Sequence, residues 1–232
     1  MLSSRNTGRS GQVEAVIFDF DGTLVLLNID FMAMRQGVEA FLAHYGVNLE
    51  GLKGLLILEM INEATKIISE KDPLKAQLFY HEAHALVVEH EVTAAKEGKI
   101  VSGAIEVLKL LKEQAVKVGI VTRNCDRAVK IVFPHIERFC DAFIPRDDVT
   151  HVKPHPDHLA LALRRMEVSK AKECLMVGDH RIDIEGGKRM GMMTAGVLTG
   201  KATQQEFIEA GADFILDDVT QIPGSVLKEF GK

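Results

Sequence analysis

Short apolar segments alternate with amphipathic segments after residue 100, and this alternation constrains the fold more than any other feature. Apolar runs typical of buried strands occur at 116–121, 141–144, 174–177, 194–198 and 213–216. Apolar residues at helical spacing occur between them, at 103–114, 126–134, 156–166 and 181–190. Strands that alternate with helices form parallel sheets, so the sequence predicts an α/β fold with a doubly wound, Rossmann-like parallel sheet. The run VEAVIFD at 13–19 predicts a first strand that is buried on both faces.

A helical block separates this first strand from the others. Apolar residues recur at helical spacing over 31–45 and 55–68, and Asp72-Pro73 supplies an N-cap and first-turn proline for a third helix that runs to Gly98. We therefore predict a core of residues 13–29 and 99–232, with a helical domain of residues 30–98 inserted after the first strand. Residues 1–12 are polar and are expected to be disordered.

Composition narrows the possible partners and the compartment. The chain has 232 residues, 47% hydrophobic and 26% charged, with a net charge of −5 and no basic tract, which argues against a nucleic-acid partner. No apolar run reaches the length of a membrane span. The three cysteines form neither a disulfide framework nor a metal-ligand pair, so a cytoplasmic protein is expected. The sequence leaves open whether it is a monomer or a dimer.

Polar side chains follow four of the predicted strands directly. In an open parallel sheet the ligand binds outside the carboxyl ends of the strands. The residues at these positions are therefore the candidate site residues: Asp19, Asp21, Thr122, Arg123, Asn124, Lys153, Asp179 and Asp183.

This set of side chains suits phosphate chemistry. Carboxylates that offer only oxygen ligands favour a hard cation such as Mg²⁺, and Lys153 would offset part of their negative charge. Thr122 and nearby backbone N–H groups could hold a phosphate. One carboxylate can attack phosphorus, while a second protonates the leaving oxygen and then activates water.

The order of the strand-end segments carries a resemblance to a known family. DFDGTLV, VTRN, KPHPD and GDHRID resemble, in this order, the four motifs of the haloacid dehalogenase superfamily. VKPHPDHLALAL and VGDHRIDIEGGKRMGM are similar to its phosphoglycolate phosphatase-like branch. The resemblance implies a Mg²⁺-dependent phosphatase that hydrolyses a small phosphorylated metabolite, such as a phosphoglycolate-like ester or a sugar phosphate, through an aspartyl-phosphate. It also implies that the helical block is a cap domain.

The resemblance implies a role for each matching residue. Asp19 would be the nucleophile and a metal ligand. Asp21 would be the general acid and base, with its backbone carbonyl on the metal. The remaining implied roles are phosphate binding by Thr122 and Asn124, neutralisation by Lys153, and metal binding by Asp179 and Asp183. Arg123 and His180 depart from the frequent pattern of the family, and Arg123 is a further candidate phosphate contact.

Several functions other than a phosphatase are alternatives for a chain with these motifs. A phosphomutase of the β-phosphoglucomutase type would use the same residues. A dehalogenase needs no second aspartate, so Asp21 disfavours it. A phosphonate hydrolase would need a Schiff-base lysine, for which Lys53 could be proposed, but Asp21 again favours phosphate ester chemistry. A phospho-accepting signalling domain is the non-enzymatic alternative, but it leaves the helical block unexplained. A binding module without activity is disfavoured because every motif residue is intact.

Several of these residues also allow a purely structural interpretation. Asp183 could equally be a first-turn helix acid, and Thr122 could cap the following helix. The histidines at 151, 155 and 158 are expected on the surface. In the helical block, Arg35 and Lys53 are candidates for reading the substrate's leaving group only because they are basic.

Overall fold

The computed structural model describes residues 13–225, and these residues form two compact units. One, the α/β unit, consists of residues 13–27 and 98–225, and the other, the helical unit, consists of residues 28–97. The expectation for residues 1–12 lies outside the described part of the chain. Within residues 13–225, no helix has both the length and the apolar character that crossing a membrane requires.

Three helices make up most of the helical unit: α1 (Phe31–His44), α2 (Ile57–Ser69) and α3 (Pro73–Ala95). The side chain of Asp72 accepts the N–H groups of Leu74 and Lys75 at 3.1 and 3.0 Å and so caps α3, as the Asp-Pro pair predicts. The unit buries apolar side chains from all three helices, among them Leu42, Ile61 and Phe79. Packing of these apolar faces, rather than helix propensity, holds the three helices together.

The α/β unit contains eight strands, in chain order: β1 (Ala15–Phe18), β2 (Val25–Leu26), β3 (Lys99–Ile100), β4 (Lys117–Val121), β5 (Ala142–Ile144), β6 (Cys174–Gly178), β7 (Met193–Val197) and β8 (Phe214–Leu216). Six of them form one sheet in the order β5-β4-β1-β6-β7-β8, with every pair parallel. The predicted parallel sheet is confirmed. Two-residue strands β2 and β3 form a separate antiparallel ribbon that the sequence did not predict.

Helices cover both faces of the sheet: α4 (Ala104–Glu113), α5 (Asp126–Val132), α6 (Pro156–Arg165), α7 (Arg181–Arg189), α8 (Gln204–Ala210) and α9 (Ile222–Ser225). Val16 and Phe18 of β1 pack in one core with residues of α4, while Ala15 and Ile17 pack in another with residues of α6. All four β1 side chains are buried, so the prediction of a strand buried on both faces is confirmed.

Candidate active site

The register of the central strands brings the motif residues to one edge of the sheet. Phe18, the last residue of β1, lies opposite Ile120 of β4 and Val177 of β6. The next residue, Asp19, donates its backbone N–H to the Val177 carbonyl at 2.8 Å. Thr122 and Asp179 therefore lie just beyond the carboxyl ends of the strands on either side of Asp19.

Three buried carboxyl groups converge at this edge. Asp19, Asp179 and Asp183 each place a carboxylate oxygen within 4.8 Å of the other two, and they form the carboxylate cluster of this site. The ammonium of Lys153, which is only 1% exposed, lies 2.5 Å from Asp19 Oδ1 and 2.7 Å from Asp183 Oδ1. The structure thus brings together four of the predicted site residues, which come from three separate parts of the sequence.

The electrostatics of the cluster follow from three acids facing one ammonium group. Burial, followed by repulsion from Asp19 and Asp183, raises the pKa of Asp179 to about 9. Burial also raises the pKa of Asp183, to about 6, although Lys153 opposes this shift. Burial works to lower the pKa of Lys153, but attraction to Asp183 and Asp19 outweighs it, and the net shift is upward. Lys153 is therefore an ammonium, and the cluster retains unbalanced negative charge.

Asp183 contacts both the start of α7 and Lys153. Its Oδ2 accepts the backbone N–H of His180 at 3.1 Å, which caps the start of α7, while its Oδ1 accepts from Lys153. His180 contributes to the same cap, because its Nδ1 accepts the N–H of Ile182 at 3.3 Å. The residue that departs from the family pattern at position 180 thus orders the helix that presents Asp183.

Two glycines make room for Asp179. Gly22 has φ of +82°, and a Cβ there would lie 2.3 Å from Asp179 Oδ2. A Cβ on Gly200 would lie 1.8 Å from the same oxygen. Thr199 ties the two segments together, since its hydroxyl donates to the Gly22 carbonyl at 2.5 Å. Sequence reasoning missed the Thr199–Gly200 segment, although it follows a strand as the other site segments do.

Backbone contacts fix the segment that carries Lys153. Its N–H donates to Nδ1 of His158 at 3.1 Å, and its carbonyl accepts from the Arg123 guanidinium at 2.5 Å. Burial, together with the charge of Lys153, lowers the pKa of His158 to about 3, so the ring is neutral and its Nε2–H donates to the Ile144 carbonyl at 3.2 Å. The expectation that His158 lies on the surface is wrong: it is fully buried.

The predicted phosphate-binding residues lie at the adjoining strand end. Thr122 and Asn124 are both buried, and the Thr122 hydroxyl accepts the N–H of Asn124 at 3.1 Å. Within residues 13–225, the side-chain Nδ2 of Asn124 has no hydrogen-bond partner, and neither has the hydroxyl of Thr23. A buried donor of this kind is costly unless a ligand or water accepts from it. Arg123, by contrast, directs one guanidinium N–H to the Lys153 carbonyl.

Asp21 is held by its own loop. Its Oδ1 accepts the N–H of Leu27 at 2.9 Å, and its backbone pairs with Val25 in an isolated bridge. The two aspartates of the first motif therefore have different partners: Asp19 contacts Lys153, and Asp21 contacts backbone.

Arg35 and Lys53, the basic residues singled out in the helical unit, differ in their surroundings. Arg35 donates to the Leu55 carbonyl and lies 3.6 Å from the Glu39 carboxylate, so its guanidinium connects α1 to the segment before α2. Lys53 is exposed. Arg35 has a structural role inside its own unit whether or not it also contacts a substrate.

Comparison with known proteins identifies the class. A family model described as haloacid dehalogenase-like hydrolase matches residues 16–197, a span that includes every residue of the carboxylate cluster. The chain therefore belongs to the haloacid dehalogenase-like hydrolase family. The prediction of an enzyme of this superfamily, made from the four strand-end motifs, is confirmed.

Individual relatives and solved structures are similar to most of the chain. Pyrophosphatase PpaX from Bacillus cereus is 31% identical over 222 residues, which cover 91% of this chain and 95% of that protein. Among solved structures, a phosphonoacetaldehyde hydrolase-like protein from Oleispira antarctica has a TM-score of 0.68 at 19% identity, covering 100% of this chain and 97% of that one. A predicted phosphoglycolate phosphatase from Haemophilus somnus has a TM-score of 0.61 at 19% identity, covering 92% and 97%. These two structures show a shared fold.

Proposed function

We propose that the protein is a Mg²⁺-dependent phosphatase that hydrolyses a small phosphorylated metabolite through an aspartyl-phosphate on Asp19. The observation that carries this proposal is the buried carboxylate cluster, with Lys153 bridging Asp19 and Asp183 at 2.5 and 2.7 Å. Family membership supports hydrolysis, and the Bacillus cereus relative named a pyrophosphatase supports a phosphorylated substrate.

The donor set of the cluster fits Mg²⁺. Asp19, Asp179 and Asp183 offer only oxygen ligands, are buried, and converge within 4.8 Å around unbalanced negative charge. These three residues would hold the ion, together with the backbone carbonyl of Asp21. When bound, Mg²⁺ would supply positive charge that offsets both the carboxylates and the phosphoryl oxygens.

The residues of the chain would then divide the reaction between them. A carboxylate oxygen of Asp19 attacks phosphorus, and the bond from phosphorus to the leaving oxygen breaks while the Asp21 carboxyl group gives that oxygen its proton. In the second step a water molecule gives a proton to the Asp21 carboxylate and attacks the aspartyl-phosphate, which releases inorganic phosphate and restores Asp19. The Leu27 N–H donates to Oδ1 of Asp21 at 2.9 Å and so orients the carboxyl group.

Phosphate binding is assigned to Thr122, Asn124 and Lys153. The buried Nδ2 of Asn124, which lacks a partner among the described residues, supports a role as a donor to a phosphoryl oxygen. Lys153 is already charged, and its ammonium is held beside Asp19 and Asp183 at 2.5 and 2.7 Å, where a phosphoryl group on Asp19 would lie. Arg123 would act by holding the Lys153 carbonyl, and a direct phosphate contact from it remains a prediction.

Inorganic pyrophosphate is a second candidate substrate. The specific observation in its favour is the 31% identity to the Bacillus cereus protein named pyrophosphatase over 91% of this chain. The chemistry proposed for Asp19 and Asp21 applies unchanged, because phosphate replaces an alcohol as the leaving group. A mutase remains distinguishable, since it would transfer the phosphoryl group to a sugar instead of water.

The helical unit is proposed to act as a cap that restricts the substrate to small molecules. Its insertion between β1 and the rest of the sheet, as a compact unit of its own, supports this proposal. Small phosphate esters should therefore be hydrolysed far better than a folded phosphoprotein. Comparable kcat/KM values for the two would show that residues 28–97 do not restrict access.

One assay series tests the proposed function. The purified full-length protein is incubated with p-nitrophenyl phosphate, phosphoglycolate, a sugar phosphate and pyrophosphate, and released phosphate is measured. We expect activity with Mg²⁺, loss of activity after EDTA treatment, recovery on adding Mg²⁺, and poor recovery with Ca²⁺, which tolerates looser coordination. Full activity after exhaustive chelation would contradict the metal assignment, and release of no phosphate from any substrate would contradict the phosphatase.

A further inference from the structure

A second group of metal-ligand side chains lies on the segment that carries Lys153. His151, His155 and Asp157 each place a potential ligand atom within 4.8 Å of the other two. The two imidazole Nδ1 atoms lie 3.1 and 3.3 Å from Asp157 Oδ2, and the ring centroids are 4.5 Å apart. All three side chains are exposed, whereas the carboxylate cluster is buried.

The backbone that presents these side chains is held on several sides. The N–H of His155 donates to the Val152 carbonyl at 3.0 Å and closes a turn around Lys153. Lys153 itself is fixed through His158 and Arg123, and the Pro154 carbonyl accepts from Arg189 at 3.1 Å. Pro154 and Pro156 restrict φ at two further positions. Ligands on such a segment lose little conformational freedom when they bind an ion.

The three side chains differ in chemistry from the carboxylate cluster. Two imidazoles with one carboxylate form a donor set that suits Zn²⁺, Ni²⁺ or Cu²⁺, and Mg²⁺ disfavours nitrogen ligands. Asp157 lies against both rings, so the contacts that now orient the imidazoles would place them around a shared ion. The Asp157 N–H also donates to His155 Nδ1 at 3.3 Å, a long hydrogen bond that an ion bound at the same nitrogen would replace.

We propose that His151, His155 and Asp157 form a second metal site, which takes a divalent transition metal of the Zn²⁺ class and leaves a coordination position open to water. The site is independent of the proposed phosphatase activity, because none of its three ligands belongs to the carboxylate cluster. His151 and His155 lie two residues to either side of Lys153, and Asp157 lies four residues after it.

The nature of the ligand atoms provides the test. Cu²⁺ serves as the probe, because nitrogen ligands split its electron paramagnetic resonance signal and the carboxylate cluster supplies only oxygen. Full-length protein is titrated with Cu²⁺ in the presence of excess Mg²⁺. We expect a nitrogen-coupled Cu²⁺ species at about one equivalent, with an affinity that falls at least about tenfold in the double variant H151Q/H155Q and also in D157N.

A matched control separates this site from incidental binding by other histidines. H81Q replaces an exposed histidine on α3 of the helical unit and should leave the nitrogen-coupled signal and its affinity unchanged. Circular dichroism checks that every variant is folded. The proposal is overturned if wild-type protein gives no nitrogen-coupled signal, or if H151Q/H155Q retains it with wild-type affinity. Loss of phosphatase activity is not part of the readout, so failure here leaves the proposed function standing.

Discussion

The α/β unit and the helical unit bury different kinds of side chains. The α/β unit buries ten polar or charged side chains, which include Asp19, Lys153, Asp179 and Asp183, whereas Glu91 is the only one in the described helical unit. Burying charge costs folding free energy unless partners compensate for it. The difference indicates that the α/β unit retains buried charged groups at its candidate active site in spite of their cost. The helical unit, by contrast, is stabilised almost entirely by apolar packing.

This contrast predicts where substitutions should affect turnover and where they should affect stability. In the α/β unit, replacing one buried acid should remove activity without removing apolar contacts. In the helical unit, replacing one buried apolar residue should lower the free energy of unfolding and leave the reacting groups intact. Four substitutions test this separation of turnover from stability, from the largest expected effect on turnover to the smallest.

Asp19→Asn should have the largest effect. A neutral amide is a poor nucleophile, so we expect kcat to fall by more than about 10⁴-fold and no phosphoenzyme to form. Phosphate release and mass spectrometry after acid quench measure both effects. Asp126→Asn, which changes a half-buried acid of the same unit that pairs with Lys130 at 2.7 Å, is the control and should turn over normally. Substantial turnover by Asp19→Asn would assign the nucleophile to another residue.

Asp21→Asn should lower kcat less than Asp19→Asn does, and it should mainly slow the second step of the reaction. General acid–base help contributes roughly 10²–10⁴-fold, and kcat should fall by about that factor. With a good leaving group, the first step needs little protonation, so the second step should suffer more and phosphate should accumulate on Asp19. Peptide mapping after acid quench locates the modification. Two results would contradict the roles assigned to the pair: turnover by Asp21→Asn at the wild-type rate, or a phosphorylated Asp21 in the wild-type protein.

Asp179→Asn should lower kcat/KM by at least about 100-fold, because a proposed metal ligand is lost. It should also stabilise the metal-free protein, since the pKa of Asp179 is raised to about 9 by burial and by its acidic neighbours. A carboxyl group with a raised pKa binds its proton more tightly in the folded state, so metal-free stability should fall as pH rises from about 4 towards 9. Melting temperatures of both proteins across this range, with and without Mg²⁺, provide the measurement. An Asp179→Asn variant that gains as much stability from Mg²⁺ as the wild-type protein does would argue against Asp179 as a ligand.

Ile61→Ala should have the smallest effect on turnover. Ile61 is fully buried in α2, so its truncation should cost about 2–5 kcal/mol of unfolding free energy, while kcat well below the melting temperature stays within about threefold. Ile67→Ala, on the same helix but 37% exposed, is the matched control and should be nearly neutral. Urea titration gives both free energies. A large drop in kcat without a loss of stability would mean that the helical unit contributes directly to the chemistry.

The strands were predictable because they are apolar on both faces. The predicted runs at 116–121 and 174–177 correspond to β4 and β6 within one residue at each end. The ribbon of β2 and β3 was not predictable, because two residues are too few for a period-two pattern. Helix α8 was missed for a similar reason, since Phe207 is its one buried residue. Periodicity reveals an element only when enough of its residues face a core.

The features of the candidate active site also fall into those that the sequence predicts and those that it does not. Asp19 and Asp179 could be predicted to meet, because parallel strands end at a common edge. The burial of His158 and the contact of Thr199 with Gly22 could not, because both depend on the path of a loop after it leaves its strand. Asp183 was ambiguous in sequence, and in the structure one of its oxygens accepts from the start of α7 while the other accepts from Lys153.

The ribbon formed by β2 and β3 has a consequence for the evolution of the gene. Val25 pairs with Ile100 and Leu26 pairs with Lys99, so the chain leaves the α/β unit and re-enters it at neighbouring points. A segment with adjacent ends can be lengthened, shortened or exchanged at a small cost in loop-closure entropy. The codons for residues 28–97 can therefore vary, recombine or be replaced while those for the strand ends stay constant. Under the proposed cap role of the helical unit, selection for a new metabolite would act on one stretch of DNA, and selection for the reaction on another.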